Sequence, residues 1–120
     1  MIVKPKVVQK GWGEEVWIHN DEEYCGKILR FFKAGNKFSL HYHIIKKESW
    51  YVSKGAFEYI YVDLVKGIEE KKIIEEGTCL TIDRQEPHQL IALEDMSEIF
   101  EVSTQHFDED SYRLRIGDTL

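Results

Sequence analysis

Turn residues cut this 120-residue sequence into short segments, and that feature limits the available folds most strongly. The segments are rich in Val, Ile, Tyr, Phe and Trp, which favour strands over helices. They occupy residues 14–18, 25–33, 38–43, 49–53, 56–65, 79–82, 88–93 and 98–104. About ten short strands at such regular spacing predict an all-β sandwich or barrel.

Two segments are harder to interpret. The stretch 68–76 alternates pairs of acidic, basic and apolar residues, a pattern that fits either a helix or a strand. A helix of this length would be marginal, and the flanking Gly67 and Gly77 favour a strand between two turns. The polar stretch 108–120 gives no firm prediction.

Length and charge exclude several classes of protein. A chain of this length predicts a single domain over residues 1–120. The formal charge is −6 and the lysines are scattered among glutamates, so we expect no nucleic-acid partner. No apolar run approaches the ~18 residues of a membrane span, and no signal peptide is recognisable, which predicts a cytoplasmic protein. Cys25 and Cys79 are predicted to be reduced thiols buried within strands.

The strongest chemical signal is the pair His41 and His43, followed by Glu48. Residues two apart in a strand share a face, so two imidazoles can converge on one ion at about 2.0–2.1 Å from each nitrogen. If a hairpin follows, Glu48 lies beside them on the next strand. His88, in another strand, is the fourth candidate, and such a set leaves room for substrate at a transition metal. The alternative for an isolated histidine pair is ordinary hydrogen bonding.

The spacing Gly35-x5-His41-x-His43-x4-Glu48-x6-Gly55 resembles the first motif of the cupins at every defined position. Gly77, followed eleven residues later by His88, resembles the frame of the second motif. The resemblance implies a cupin jelly-roll β-barrel, also called a double-stranded β-helix. It also implies one divalent transition metal (Zn, Mn, Fe, Ni or Co) bound by His41, His43, Glu48 and His88.

The second motif also departs from the cupin pattern. Asp83 and Gln85 stand where cupins usually carry Pro and Gly. Because Gln does not reach a positive φ as easily as Gly, the loop before His88 is expected to differ.

A narrower resemblance is to the cupin domain of type II mannose-6-phosphate isomerases. It is carried by Lys10-Gly11-Trp12-Gly13, Ser39-Leu40, Glu48-Ser49-Trp50, Glu101-Val102-Ser103-Thr104 and the acidic tail 108–113. This implies a metal-dependent isomerase acting on a sugar phosphate or nucleotide sugar. The wider cupin resemblance implies a homodimer. His41 replaces the Gln common at that position in the isomerases, which leaves the reaction open.

Four residues near the motifs are candidates for substrate contact or catalysis. Trp50 shares the parity of Glu48 and either packs in the core or contacts a sugar ring. Lys27 and Arg113 could hold a phosphate or carboxylate, or be solvated surface residues. His106 is a candidate general acid or base, the alternative being a surface histidine.

Two other functions fit the same residues. One is a non-catalytic cupin that binds a sugar or metabolite within glycan biosynthesis. The other is an Fe(II)-dependent dioxygenase with iron on the same four residues. Fold resemblance does not choose among these, because cupins host many chemistries.

Overall fold

The structure is a computed structural model, and it describes residues 1–119; Leu120, the last residue of the predicted domain, lies outside the described part. Within those residues the chain forms eleven strands. Their bounds are β1 Lys6–Lys10, β2 Gly13–Asn20, β3 Cys25–Phe31, β4 Leu40–Tyr42, β5 Glu48–Lys54, β6 Ala56–Asp63, β7 Ile68–Glu75, β8 Cys79–Ile82, β9 His88–Ala92, β10 Ser97–Ser103 and β11 Tyr112–Arg115.

The strands form two antiparallel sheets. A six-stranded sheet has the order β1-β2-β3-β10-β5-β8, and a five-stranded sheet has the order β11-β4-β9-β6-β7. Because side chains alternate along a strand, each sheet sends every second residue into the space between them. Phe31, Val52 and Ile99 of the first sheet meet Phe57 and Leu90 of the second in one apolar core.

The predicted all-β architecture is confirmed, and the ambiguous segment 68–76 forms strand β7. Strands β1 and β11 were not predicted. Both lie at sheet edges, where few apolar residues are needed, and both are largely exposed. The prediction that Cys79 is buried is wrong: it faces outward and is exposed, whereas Cys25 is buried. Among residues 1–119, no helix has the length and apolar character needed to cross a bilayer.

Candidate metal centre

Three histidines meet between the two sheets. His41 lies on β4, directly opposite His88 at the start of β9, and His43 follows the end of β4. One ring nitrogen from each lies within 4.8 Å of the others. His41 and His43 reach the same point because they are two residues apart on an extended segment. The three form a site suited to one divalent metal.

Glu48 reaches this point from the opposite sheet, where it begins β5. Its Oε2 lies 3.4 Å from Nε2 of His43, and its Oε1 lies 3.7 Å from Nε2 of His88. Only 3% of Glu48 is exposed. The structure therefore brings together all four residues that the sequence singled out as metal ligands.

Backbone carbonyls fix the orientation of each imidazole. Nδ1 of His41 donates to the Ser39 carbonyl at 2.7 Å, and Nδ1 of His88 donates to the Glu86 carbonyl at 2.9 Å. Nδ1 of His43 donates to the Asp110 carbonyl. A carbonyl can only accept, so each Nδ1 carries the proton and each Nε2 keeps a lone pair. Second partners of this kind are usual for metal-binding histidines.

Burial keeps the imidazoles neutral. It lowers the pKa of His41 to about 3 and the pKa of His43 to about 4, and it lowers the pKa of His88 well below its ordinary value. Burial also raises the pKa of Glu48, against the opposing charge of Lys46. Neutral imidazole is the form that binds a metal ion.

In the described part of the chain, two atoms at the centre of the cluster make no hydrogen bond, although one of them lies 3.5 Å from Nζ of Lys46. They are Oε2 of Glu48 and Nε2 of His88, and both are buried. An unsatisfied buried polar atom costs about 1–3 kcal/mol, so native structures rarely keep one without a reason. A cation between these acceptors would satisfy both. The donor set therefore fits a divalent metal.

A buried lysine that the sequence analysis did not identify lies beside Glu48. Nζ of Lys46 is 3.5 Å from Oε2 of Glu48 and 3.3 Å from Oε2 of Glu101. Glu101 also accepts a hydrogen bond from Nε1 of Trp50 at 3.2 Å. Burial opposes a charge on Lys46, but the two carboxylates outweigh it and raise the pKa of the ammonium group.

Lys27 lies in the interior, so a solvated surface role for it is wrong. It is 2% exposed, and its Nζ is 3.3 Å from Glu15 and 4.2 Å from the centre of the Trp17 ring. Trp50 points inward, as its parity predicts, and is 2% exposed. Its ring packs against Phe38 and His88, so core packing accounts for most of its contacts.

His106 and Arg113 both line the cavity that contains the histidines. Nδ1 of His106 is 3.4 Å from Nζ of Lys46, and its Nε2 is 3.0 Å from Asp108. Asn20 exchanges two hydrogen bonds with the His106 backbone, which fixes the position of this residue. Arg113 is exposed and lies opposite His41 in the pairing of β11 with β4.

In the loop before His88, Gln85 adopts the backbone conformation that Gly usually provides at this position in cupins. Gln85 has a φ of +70°, in the left-handed region that Gly enters with less strain. Its N–H donates to the His43 carbonyl at 2.6 Å, which ties this loop to the residue after β4. The strained conformation is therefore retained where it supports the site.

Comparisons with known proteins confirm the fold. Neither a protein-family model nor a curated protein sequence matches the chain. Among solved structures, oxalate decarboxylase from Bacillus subtilis matches with a TM-score of 0.80 and 20% identity over 95% of this chain and 33% of that chain. KdgF from Halomonas sp. matches with a TM-score of 0.68 and 21% identity over 80% of this chain and 81% of that one. Both are cupins, so the chain has the predicted cupin jelly-roll fold.

A further match, with a TM-score of 0.79 and 20% identity, is a Bacillus subtilis oxalate decarboxylase described by the EPR parameters of its Mn(II) centres. It covers 95% of this chain and 33% of that chain. The chain thus spans one third of the oxalate decarboxylase chains that it matches. At these identities the likeness concerns the fold alone.

Proposed function

We propose that this chain binds one divalent first-row metal through His41, His43, Glu48 and His88 and acts on an anionic sugar derivative in an isomerase-like reaction. The observation that carries the proposal is a pair of buried acceptors, Nε2 of His88 and Oε2 of Glu48, that make no hydrogen bond within residues 1–119. When bound, the metal supplies Lewis-acid polarisation of a carbonyl or hydroxyl oxygen. Three imidazoles and one carboxylate suit Mn, Fe, Co, Ni or Zn.

The charge of the cavity supports an anionic substrate. Five cationic and five acidic side chains line it, so it is formally neutral before the metal binds and carries two positive charges afterwards. The whole chain carries a formal charge of −6, which makes this cavity a local exception. Its volume of about 500 Å³ lies in the range of small-molecule sites. A phosphate or carboxylate on the substrate would balance the charge.

The cations around the cavity differ in their availability. Lys27 and Lys46 each already contact a carboxylate, whereas Lys10 and Arg113 make no ion pair within the described residues. Arg113 offers planar, bidentate donors that match a phosphate or carboxylate. We therefore expect Arg113, more than Lys27, to bind the phosphate or carboxylate of the substrate.

Isomerisation also needs a group that moves a proton between adjacent carbons. His106 is the proposed group, because it lines the same cavity and is held by Asn20 and Asp108. A hydrogen bond from Nε2 to Asp108 leaves the lone pair on Nδ1, the nitrogen beside Lys46, as the one that takes up a proton. Trp50 has a supporting role, since it packs beside His88 and anchors Glu101.

The test is to load metal-free protein separately with Mn(II), Zn(II), Co(II), Ni(II) and Fe(II) and assay aldose–ketose interconversion. The panel contains sugar phosphates and their unphosphorylated counterparts. We expect turnover of a phosphorylated sugar that is lost in His88→Ala together with the metal, and lost in His106→Asn with the metal retained. His19→Ala removes a histidine that does not line the cavity and whose ring bonds to Asp21; it is the matched control and should keep both.

Other outcomes contradict the isomerase proposal in distinct ways. A ligand that raises the Tm without being converted indicates a non-catalytic binding protein. Oxygen uptake by the Fe(II)-loaded protein indicates an oxygenase.

The homodimer implied by the cupin resemblance stays a prediction, and light scattering on the protein as it elutes from a size-exclusion column tests it.

A further inference from the structure

The loop between His43 and Glu48 reverses the usual distribution of apolar and charged residues. Ile44 and Ile45 are 44% and 53% exposed, whereas Lys46 is 4% exposed. Lysine is almost never fully buried unless paired, and isoleucine is among the residues most often buried. Hydrophobicity therefore does not hold this loop in place, and specific contacts must do so.

One carboxylate supplies the densest set of those contacts. Asp110 accepts the backbone N–H of Ile44 at 2.9 Å, that of Ile45 at 3.1 Å and that of Lys46 at 3.0 Å. Asp110 is itself 3% exposed. Hydrogen bonds from backbone amides to an ionised carboxylate are stronger than bonds between neutral groups. They fix three consecutive peptide units of the loop.

Asp110 also contacts His43, the residue just before this loop. Its backbone carbonyl accepts the hydrogen bond from Nδ1 of His43, which leaves Nε2 facing the other histidines. One residue therefore sets the tautomer of His43 and the path of the chain from His43 towards Glu48. It does so from a segment more than sixty residues further along the chain.

We propose that Asp110 is a positioning residue for the metal centre. It holds His43 in the ligand tautomer and holds the loop that delivers Lys46 to Glu48. The proposal rests on the ligand set given under the proposed function. Two other described side chains bond to the backbone of this loop: Arg84 donates to the Ile45 carbonyl at 2.9 Å, and Thr104 accepts from the Lys47 N–H at 3.1 Å. Neither of these touches a candidate ligand.

The test compares Asp110→Asn with Glu109→Gln by titrating each metal-free protein with Mn(II) and with Zn(II). The amide group of Asn presents a donor where the Lys46 N–H needs an acceptor, so the loop loosens. The Asp110 carbonyl that orients the His43 ring remains, but it is no longer held against the loop. We expect metal affinity to fall by about 10–100-fold, the usual effect of removing an outer partner of a ligand. Glu109 is exposed, so Glu109→Gln removes the same charge from the neighbouring position and should leave metal affinity unchanged.

Binding by Asp110→Asn with wild-type affinity would overturn the inference while leaving the proposed function intact. Failure of the wild-type protein to bind metal would instead defeat the proposed function. If Asp110→Asn does not fold, two measurements on the wild-type protein decide. The amides of Ile44, Ile45 and Lys46 should exchange slowly with deuterium, and ¹⁵N NMR should place the His43 proton on Nδ1. Rapid exchange of these amides, or a proton on Nε2, overturns the inference.

Discussion

The space between the two sheets has two halves that are chemically opposite. In one half Phe31, Phe57 and Leu90 pack without exposed surface. In the other, Glu48, Lys46 and the histidines are 5% exposed or less, apart from the half-buried His41. Burying apolar area stabilises a fold by about 25 cal/mol per Å², whereas burying polar groups costs free energy unless each is paired. The apolar half therefore accounts for stability, and the polar half for function.

Truncating the apolar half should have the largest effect on stability. Phe57→Ala removes a fully buried ring that packs edge-on against Phe31 at 5.0 Å between centroids. We expect the free energy of unfolding to fall by about 4 kcal/mol, with metal affinity of the folded protein unchanged. Urea denaturation and metal titration measure the two quantities. Phe100→Ala, on the outer face and 38% exposed, should cost clearly less. Equal losses at both positions would contradict the division of the interior.

Breaking the charge network of the polar half should also be costly. Glu101→Gln removes one of the two carboxylates that contact Lys46 and weakens the acceptor of Trp50. We expect a loss of about 3 kcal/mol, because a buried ammonium is left poorly compensated. Glu98→Gln is the matched control on the same strand, since its partner Arg30 is 38% exposed in the side chain. There the expected loss is below about 1 kcal/mol. A similar loss at both sites would show that the buried contacts of Lys46 are worth no more than a partly exposed ion pair.

The metal-free protein should lose stability in mild acid. Burial lowers the pKa values of His41 and His43 from 6.5 to about 3 and about 4, and lowers that of His88, so the unfolded chain binds these protons first. The raised pKa of Glu48 acts in the opposite direction. The unfolded chain binds three more protons at the histidines and the folded chain binds one more at Glu48, so unfolding takes up about two protons. The free energy of unfolding should therefore fall by about 3 kcal/mol per pH unit as the pH falls below 6.5 towards 4.

Urea denaturation of the metal-free protein at a series of pH values measures that slope. His41→Asn removes one titrating imidazole and should make the slope shallower by about 1.4 kcal/mol per pH unit. A stability that is flat between pH 6.5 and 5 would show that the histidines are not buried as neutral groups.

The smallest predicted effect is a gain in stability at the loop before His88. Gln85→Gly relieves a left-handed conformation at a φ of +70° and should stabilise the protein by about 1 kcal/mol. Metal affinity should not change, because the backbone path to His88 stays the same. Thermal unfolding checks the first expectation, and a lower Tm in Gln85→Gly would mean that the Gln side chain makes a contact more valuable than the strain it causes.

Periodicity predicts the all-β architecture and the shared face of His41 and His43, whereas the jelly roll and the full ligand set with Glu48 and His88 are expected from the resemblance to the cupin motifs. Alternation with a period of two marks the inner strands, and it places His41 and His43 on one face. Strands β1 and β11 lack that signal because a sheet edge tolerates polar residues.

Lys46, Glu101 and Asp110 could not be recognised in the same way. A lysine followed by another lysine in a loop gives no sign of burial, and its partner Glu101 is 55 residues away. Asp110 acts through backbone amides, which every sequence contains. These interactions depend on how distant segments meet, and no local pattern encodes that.

We propose that the polar half of the interior binds one metal ion. Elemental analysis of the purified protein beside His43→Ala and His88→Ala tests it most directly, with circular dichroism showing that both variants are folded. We expect one first-row transition metal per wild-type chain and almost none in either variant. Folded variants that retain as much metal as the wild-type chain, or a wild-type chain that takes up none when metal is supplied, would contradict it.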